Sequence, residues 1–212
     1  EDFAGFDAQL IIMDVVPWML PYYEASGIQF EIEDNRDYMD YTFTPEQFLA
    51  GMDMQDDRYR YNYFKRRFAY ETEEITPFHR EEIREFMERE WCGEKTCEEC
   101  HCGCLLRVID NLVPVFDKIR INGILVRVEG KMAGLCIVSC RNGLGVYQYK
   151  NAVNRIKGIN EYLLRESFER YLQSADTINY TEDMGVENLR YYKEHMAPAH
   201  TLLSKLTLTE RG

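Results

Sequence analysis

A polar turn between a strand and a helix, in the C-terminal half of the chain, is the first segment that could bind a ligand. Alternating residues predict a strand over 146–150, and apolar residues at helical spacing predict a helix that opens at 158–160 and reaches Leu172. Glycine lets a ligand approach the backbone closely, and the start of a helix favours an anion such as pyrophosphate. We therefore predict a donor-phosphate site at Arg155, Lys157, Gly158, Ile159 and Asn160. An ordinary strand-to-helix turn is the alternative.

Three side chains of the preceding strand are candidates for proton transfer. Tyr147 and Tyr149 could each donate a proton to a leaving group, although aromatic residues on a central strand also serve in packing. Lys150 ends the strand beside the predicted phosphate site, and a solvated lysine at a strand end is its alternative interpretation. Residues of these types supply the acid and base steps of group transfer.

An acidic pair follows a later strand, which is predicted over 177–180. Open α/β sheets place ligand groups just after their strands, where Glu182 and Asp183 lie. Either carboxylate could recognise a substrate amine or act as a base. The alternative is that one of them caps the helix predicted from Val186. On that helix Arg190 and Lys193 share a face by i,i+3 spacing.

The cysteines are concentrated in one loop. Five of the seven lie within thirteen residues, with His101 among them: Cys92, Cys97, Cys100, Cys102 and Cys104. Cys97-x-x-Cys100 has the spacing of a metal-ligand pair. Zn²⁺ or another thiophilic ion could join the two helices that flank the loop. Reduced thiols or a partial disulfide are the alternative, and a cytosolic setting disfavours stable disulfides.

The elements that position these residues follow a mixed α/β order. Thr44-Pro45-Glu46-Gln47 has the pattern of a helix start with a capping box, and Glu129-Gly130-Lys131 indicates a tight turn between two strands. Further strands are predicted over 28–33, 41–43, 70–75, 123–128, 134–140 and 201–209, and further helices over 44–51, 58–68, 76–91 and 105–116.

Several of these segments match the motifs of known families. Asn179, Glu182-Asp183, Met184-Gly185, Leu189-Arg190, Lys193 and Pro198 resemble, at matching spacing, the C-terminal catalytic domain of bacterial phosphatidylglycerol lysyltransferases. The segments 123–131 and 37–41 resemble its Gly-x-x-Ile-Arg-Val-Asp-Gly-Lys hairpin and its Asp-Tyr-x-Asp-Tyr segment, so the resemblance runs over about 31–209. The turn at 155–160 is similar to the pyrophosphate grip of GNAT acyltransferases.

The resemblance implies an α/β (α+β) fold with a GNAT-like mixed sheet flanked by helices. It implies two tandem GNAT-like units, with 1–70 the remainder of a truncated first unit and 71–212 the second; since the chain does not begin with Met, we expect a segment to precede it. It also implies substrate-binding roles for Asn179, Arg190 and Lys193. For the last two, salt bridges to Glu182, Asp183 or Glu187 are the alternative.

The sequence departs from the family at the predicted catalytic strand. Tyr147 and Tyr149 stand where the family has a His and a Glu, and Asn188 replaces a glycine. These replacements motivate a second hypothesis, a non-catalytic GNAT-like binding or regulatory module. A third hypothesis is an interaction protein that a metal at the cysteine loop holds together.

The formal net charge of −12 disfavours DNA as a partner, because DNA-binding surfaces are basic. The basic cluster Arg58–Arg67, interleaved with tyrosines, could contact a tRNA or a phosphorylated donor, or could be the solvated face of an amphipathic helix. Leu10–Leu20 is too short for a membrane span and is interrupted by Asp14 and Pro17. With no signal peptide in view, a cytoplasmic protein is expected, and the resemblance implies a bacterial one.

The expected function is transfer of an acyl group from a CoA thioester or an aminoacyl-tRNA to an amine or hydroxyl. The acceptor is expected to be a small molecule or a peptide. The acidic composition favours a small donor, since it would repel tRNA outside the Arg58–Arg67 cluster.

Overall fold

The computed structural model describes residues 10–92, 103–196 and 199–211, without the side chains of 91–92 and 103–107. The strands are β1 Ile11–Val15, β2 Phe30–Asp34, β3 Asp40–Phe43, β4 Tyr70–Glu74, β5 Ile121–Val128, β6 Lys131–Arg141, β7 Leu144–Ala152, β8 Thr177–Asn179, β9 Thr201–Leu203 and β10 Leu206–Glu210. The helices are α1 Leu20–Glu24, α2 Pro45–Met52, α3 Gln55–Arg67, α4 Arg80–Met87, α5 Gly103–Leu112, α6 Ile159–Ser167 and α7 Glu187–Met196. Single π-helical turns follow α4 at Glu88–Cys92 and α6 at Phe168–Leu172.

The described residues form two compact units. One unit contains the described residues up to Thr42 and from Tyr180 onward, and the other is Phe43–Asn179. This division by contacts does not follow the predicted boundary at residue 70. The tandem arrangement of 1–70 and 71–212 rests on the resemblance and stays a prediction.

The central unit, Phe43–Asn179, is built on a mixed sheet with strand order β4-β5-β6-β7-β8. The first four strands are antiparallel, and β7 and β8 are parallel and connected through α6. The turn between β5 and β6 has positive φ angles at Glu129 and Gly130, 53° and 75°, as the predicted tight turn requires. Apolar side chains of β5 and β6 form the core, with Ile124, Leu135 and Ile137 fully buried.

A β-bulge interrupts β7 next to the predicted catalytic tyrosines. Val138 pairs with Tyr147 and Ile137 pairs with Tyr149, so that Gln148 is left as the extra residue. Bulges bend a strand locally and re-aim its side chains, and they are over-represented next to active sites.

Helix α2 begins as the sequence predicts. The Thr44 hydroxyl accepts a hydrogen bond from the Gln47 N–H at 3.2 Å, and the Thr44 N–H donates to the Gln47 side chain at 2.8 Å. This reciprocal capping box satisfies two N–H groups that would otherwise have no partner.

The terminal unit contains a three-stranded antiparallel sheet in the order β1-β10-β2. Val15, Leu206 and Leu208 form its buried core. In the same unit β3 pairs antiparallel with β9, where Tyr41 lies opposite Leu202. The single strand predicted over 201–209 was wrong, since β9 and β10 pair with different partners.

No helix in the described part of the chain is both long and apolar enough to cross a bilayer.

Candidate functional site

A fully buried carboxylate organises the polar residues of the terminal unit. Asp183 accepts a hydrogen bond from the Tyr41 hydroxyl at 2.7 Å and from the Gly185 N–H at 2.9 Å. The guanidinium of Arg190 donates to both of its oxygens at 2.9 Å, and that of Arg36 donates to one at 3.1 Å. Because two guanidinium groups and a phenol share one carboxylate, the four side chains are fixed relative to one another.

The loop that carries Asp183 has an unusual backbone. Thr181, Met184 and Gly185 have φ angles of 57°, 53° and 70°. The ammonium of Lys193, which is 3% exposed, donates to the carbonyl oxygens of Tyr180 at 2.5 Å and Glu182 at 2.7 Å. A buried cation that binds loop carbonyls compensates for the strain of such a turn. The structure therefore gives Lys193 a role in holding the loop, and its predicted contact with substrate stays a prediction.

The acid–base properties of Asp183 follow from these contacts. Burial acts to raise its pKa, but the hydrogen bonds from Arg190, Tyr41 and the Gly185 N–H outweigh burial and hold the pKa well below its usual range. A carboxylate with such a low pKa is a poor proton acceptor. The salt bridge to Arg190 is the alternative foreseen from the sequence, and Asp183 serves here to orient guanidinium groups.

The other member of the acidic pair, Glu182, is more accessible. Its side chain is 26% exposed and lies 3.6 Å from the ammonium of Lys205, which also pairs with Asp40 at 2.8 Å. Its role as a base or as an amine contact is untested by these contacts and stays a prediction.

Two residues of this network, Arg36 and Tyr41, were missed as site residues. A signal was present for Tyr41, because the segment 37–41 resembles the family's Asp-Tyr-x-Asp-Tyr motif, and Arg36 directly precedes that segment. The pairing with Asp183 spans more than 140 positions of the chain, so that its contacts were invisible to local patterns.

In the central unit, the two predicted catalytic tyrosines differ in environment. Tyr147 is 3% exposed, donates its hydroxyl proton to the Leu164 carbonyl at 2.8 Å and packs against Phe48. Tyr149 is half-buried, and its hydroxyl accepts a hydrogen bond from Asn151 at 3.2 Å. The contacts of Tyr147 favour the packing role, and Tyr149 is the better candidate for proton donation.

The predicted phosphate segment leads into α6 as expected, but its glycine lies against another helix and not against an open ligand site. Gly158 has a φ of 89°, and a Cβ atom built there would lie 2.1 Å from the carbonyl oxygen of Arg60 in α3. The close approach that requires glycine is therefore made by another helix. Ile159 is fully buried and Asn160 is half-buried, whereas Lys157 is exposed.

Arg155 lies at the edge of a cleft of about 790 Å³. Its side chain is 77% exposed, with the carboxylate of Glu90 at 3.7 Å. Lys131 and Arg89 also line the cleft, together with apolar residues that include Phe68 and Met132. Glu129 also lines the cleft and Arg89 pairs with Glu90 at 2.8 Å, so the cleft has a small excess of positive charge beside its apolar wall, which suits a phosphorylated ligand.

Two acidic residues beside α6 were also missed. Glu161, in the first turn of α6, is 9% exposed and binds the Arg60 guanidinium at 3.2 Å. Burial raises the pKa of Asp57, and the nearby charge of Glu161 raises it further, whereas Arg60 and Lys150 act to lower it. The predicted catalytic Lys150 thus lies within electrostatic reach of a carboxyl group whose pKa is perturbed, which is a frequent property of functional sites.

We expect the variant Asp57→Asn to stabilise the protein at neutral pH. Because the folded state holds this proton more tightly than the unfolded chain does, stability is lost as the pH rises from the ordinary value of 3.8 through the raised pKa. The stability gain of the variant should therefore grow over that interval and then level off, as measured by melting temperature against pH. Asp56→Asn is the matched control, since Asp56 shares the first turn of α3 but is exposed. An equal response of both variants would contradict the prediction.

The remaining predicted site residues are Asn179 and the cysteines of the predicted metal site. Asn179 is 8% exposed on β8, in register with Val146. The predicted metal ligands Cys97, Cys100 and Cys102 fall outside the described residues, as do the side chains of Cys92 and Cys104. Within the described part of the chain, no group of three or more His, Cys, Asp or Glu residues could hold a metal ion. The metal site stays a prediction.

The sheet and the β7–α6–β8 connection define a GNAT-like fold. A tandem GNAT protein from the clavulanic acid biosynthesis pathway superposes with a TM-score of 0.54 at 10% identity, covering 95% of this chain and 62% of that one. The similarity shows the fold, as the sequence predicted.

The chain belongs to the family described as phosphatidylglycerol lysyltransferase, C-terminal, whose profile matches residues 1–204. A conserved protein of unknown function from Bacteroides thetaiotaomicron has a TM-score of 0.79 and 25% identity, covering 96% of this chain and 70% of that one. L-PGS from Bacillus licheniformis has a TM-score of 0.64 and 15% identity, covering 93% and 67%. No match was found among curated proteins. The chain is thus a member of a family of acyl- and aminoacyltransferases.

Proposed function

We propose that this protein is an acyl- or aminoacyltransferase that uses a CoA thioester or an aminoacyl-tRNA as donor and an amine or hydroxyl as acceptor. The family match over residues 1–204 carries the proposal. The acceptor's nucleophile attacks the donor carbonyl carbon, the bond to the CoA sulfur or the tRNA ribose oxygen breaks, and the leaving group takes up a proton. The enzyme must orient both substrates and supply proton transfer.

The start of α6 and the cleft beside it support a donor with phosphate groups. Arg155 and Lys157 are exposed at the turn, and Arg155 shares the cleft with Arg89 and Lys131. Cations at a helix start attract phosphate, and the apolar part of the cleft suits the rest of a donor.

Tyr149 is the proposed proton donor to the leaving group. Its hydroxyl already accepts an N–H from Asn151 at 3.2 Å, a contact that would stabilise the phenolate formed when the proton leaves. Arg190, held by Asp183 and Asp37, is 32% exposed and is a proposed contact for a substrate carboxylate or phosphate. Glu182 is the proposed contact for an acceptor amine.

A non-catalytic binding module is the second candidate function, and the environment of Tyr147 favours it. Tyr147 stands where the family has a His, yet it is 3% exposed and donates its hydroxyl proton to the Leu164 carbonyl at 2.8 Å. A buried phenol with that partner serves packing rather than proton transfer.

We expect donors to stabilise the folded protein, because a ligand that binds only the folded state raises the melting temperature by mass action. At about 100 times the dissociation constant the gain is about 2.7 kcal/mol, or roughly 5–10 °C for a chain of this size. The measurement is thermal unfolding with acetyl-CoA, longer acyl-CoAs or a charged tRNA minihelix, with inorganic pyrophosphate as the control anion. Release of CoA thiol or loss of the aminoacyl ester in the presence of amines then tests turnover.

The outcomes separate the two candidate functions. A shift with turnover supports the transferase, whereas a shift without turnover supports the binding module. No shift with any donor would contradict the proposed function.

A further inference from the structure

One face of α3 carries aromatic and basic side chains around a shallow cavity. The cavity, of about 270 Å³, is lined by residues at helical spacing: Tyr59, Asn62, Tyr63, Arg66 and Arg67. Tyr59 is 56% exposed, and its ring centroid lies 6.2 Å from that of Tyr63. Tyr63 is half-buried, and the exposed ring of Tyr59 is able to stack a planar ring, because every nucleobase has a face that packs on an aromatic side chain.

The turn before α6 adds a cation to this face. The ammonium of Lys157 lies 4.9 Å from the ring centroid of Tyr59 and 5.2 Å from that of Tyr63. The sequence places Lys157 in the predicted donor-phosphate segment, more than 90 positions from the tyrosines of α3. The fold joins the two into one surface, which we call the α3 face: Tyr59, Asn62, Tyr63, Arg66, Arg67 and Lys157.

The charge of the α3 face differs from that of the chain. The chain has 37 acidic and 25 basic residues, yet Arg66 and Arg67 are exposed and form no ion pair within the described part of the chain. By contrast, Arg60 on another side of α3 pairs with Glu161. Uncompensated guanidinium groups in an acidic protein attract phosphate.

We infer that the α3 face binds an adenosine nucleotide that carries phosphate groups, and that this is the nucleotide end of the donor. The inference rests on the proposed function and extends it, because CoA and the CCA end of tRNA both carry a phosphorylated adenosine. The base stacks on the exposed face of Tyr59. Phosphate oxygens accept hydrogen bonds from Arg66, Arg67 and Lys157.

The test is calorimetric titration of the full chain with two probes, CoA and a short RNA that ends in CCA. We expect Arg66→Ala/Arg67→Ala to weaken binding at least tenfold, and to reduce the salt slope for the RNA by about 1.4 because two phosphate contacts are lost. We expect Tyr59→Ala to weaken binding by about fivefold or more, whereas Tyr59→Phe keeps the stacking surface and the affinity. The probe that binds identifies the source of the nucleotide.

Arg120→Ala/Arg141→Ala is the matched control, since both arginines are exposed outside α3 and the double variant changes the net charge equally. Equal weakening in this control would overturn the inference, because a general charge effect would then explain the loss. Unchanged affinity in both α3 variants would overturn the inference and leave the proposed function standing. If neither probe binds the unaltered protein, the inference and the proposed donors fail together.

Discussion

Asp183→Asn should lower the free energy of unfolding by about 3 kcal/mol, since a buried charged acceptor that two guanidinium groups and a phenol share is lost. The carboxylate is fully buried and accepts hydrogen bonds from Arg36, Tyr41 and Arg190. An asparagine amide is neutral, and its NH₂ group would face the N–H and O–H donors that now bond to the carboxylate, although Arg190 keeps Asp37 and Arg36 keeps Glu194. Urea unfolding at neutral pH measures the loss.

The matched control for this variant is Glu182→Gln. Glu182 is the neighbouring acid, but it is 26% exposed and its nearest cation, Lys205, retains Asp40. We expect its effect to stay within about 1 kcal/mol, as for a partly solvated pair. If the two variants lost the same stability, Asp183 would not be the organising group of the network.

The pH dependence of stability provides a second readout for Asp183→Asn. The lowered pKa of Asp183 means that its contribution is present above the ordinary value of 3.8 and is lost as the pH falls below it. The variant lacks this contribution, so its stability should fall less steeply on acidification than that of the unaltered protein.

Gly158→Ala should be the most damaging glycine substitution that the contacts identify. The residue has a φ of 89°, and the added methyl group would lie 2.1 Å from the Arg60 carbonyl oxygen. A left-handed conformation costs a residue with a Cβ atom about 1–2 kcal/mol, and forcing a methyl into a packed contact costs about 1–3 kcal/mol more. The loss is measured by urea unfolding.

Gly130→Ala separates the two costs of this substitution. Gly130 has a φ of 75° but has no atom within 4 Å of the added Cβ. We expect it to show the conformational cost alone, so that the difference between the two variants measures the contact between α3 and α6. If both variants lost the same free energy of unfolding, α3 would move away from the added methyl group at no energetic cost.

This contact also determines which variants can test ligand binding. A substitution at Gly158 would disturb the packing of α3 on α6, so that lost binding would not show a lost ligand contact. Lys157, which is exposed, and Arg66 and Arg67 can be replaced without entering the core.

Local patterns in the sequence predicted those helix starts and turns that interactions between neighbouring residues form. The capping box of α2 and the turn after β5 depend on residues within four positions, and the structure contains both. The strand–turn–helix from β7 to α6, which the change of periodicity from two to 3.6 predicted, is also present in the structure. The motifs at 179–193 identified the family.

Pairing between distant segments could not be predicted in this way. The alternation of 201–209 fits one long strand, but Leu203 ends β9 and Leu206 opens β10 in another sheet. Lys205 lies between them and binds Asp40. A pattern of period two shows that a segment is extended and does not show which strands it joins.

The sequence by itself determined the family, the GNAT-like fold and the positions of the charged side chains, because these depend on motif spacing and local periodicity. Only the tertiary structure decided what the charges do. Asp183 became an anchor for guanidinium groups, since its donors come from positions 36–41 and 185–190. Because α3 lies against the start of α6, Gly158 packs against the Arg60 carbonyl and Lys157 lies on the α3 face. A carboxylate is a base or an anchor according to its neighbours, and the fold sets the neighbours.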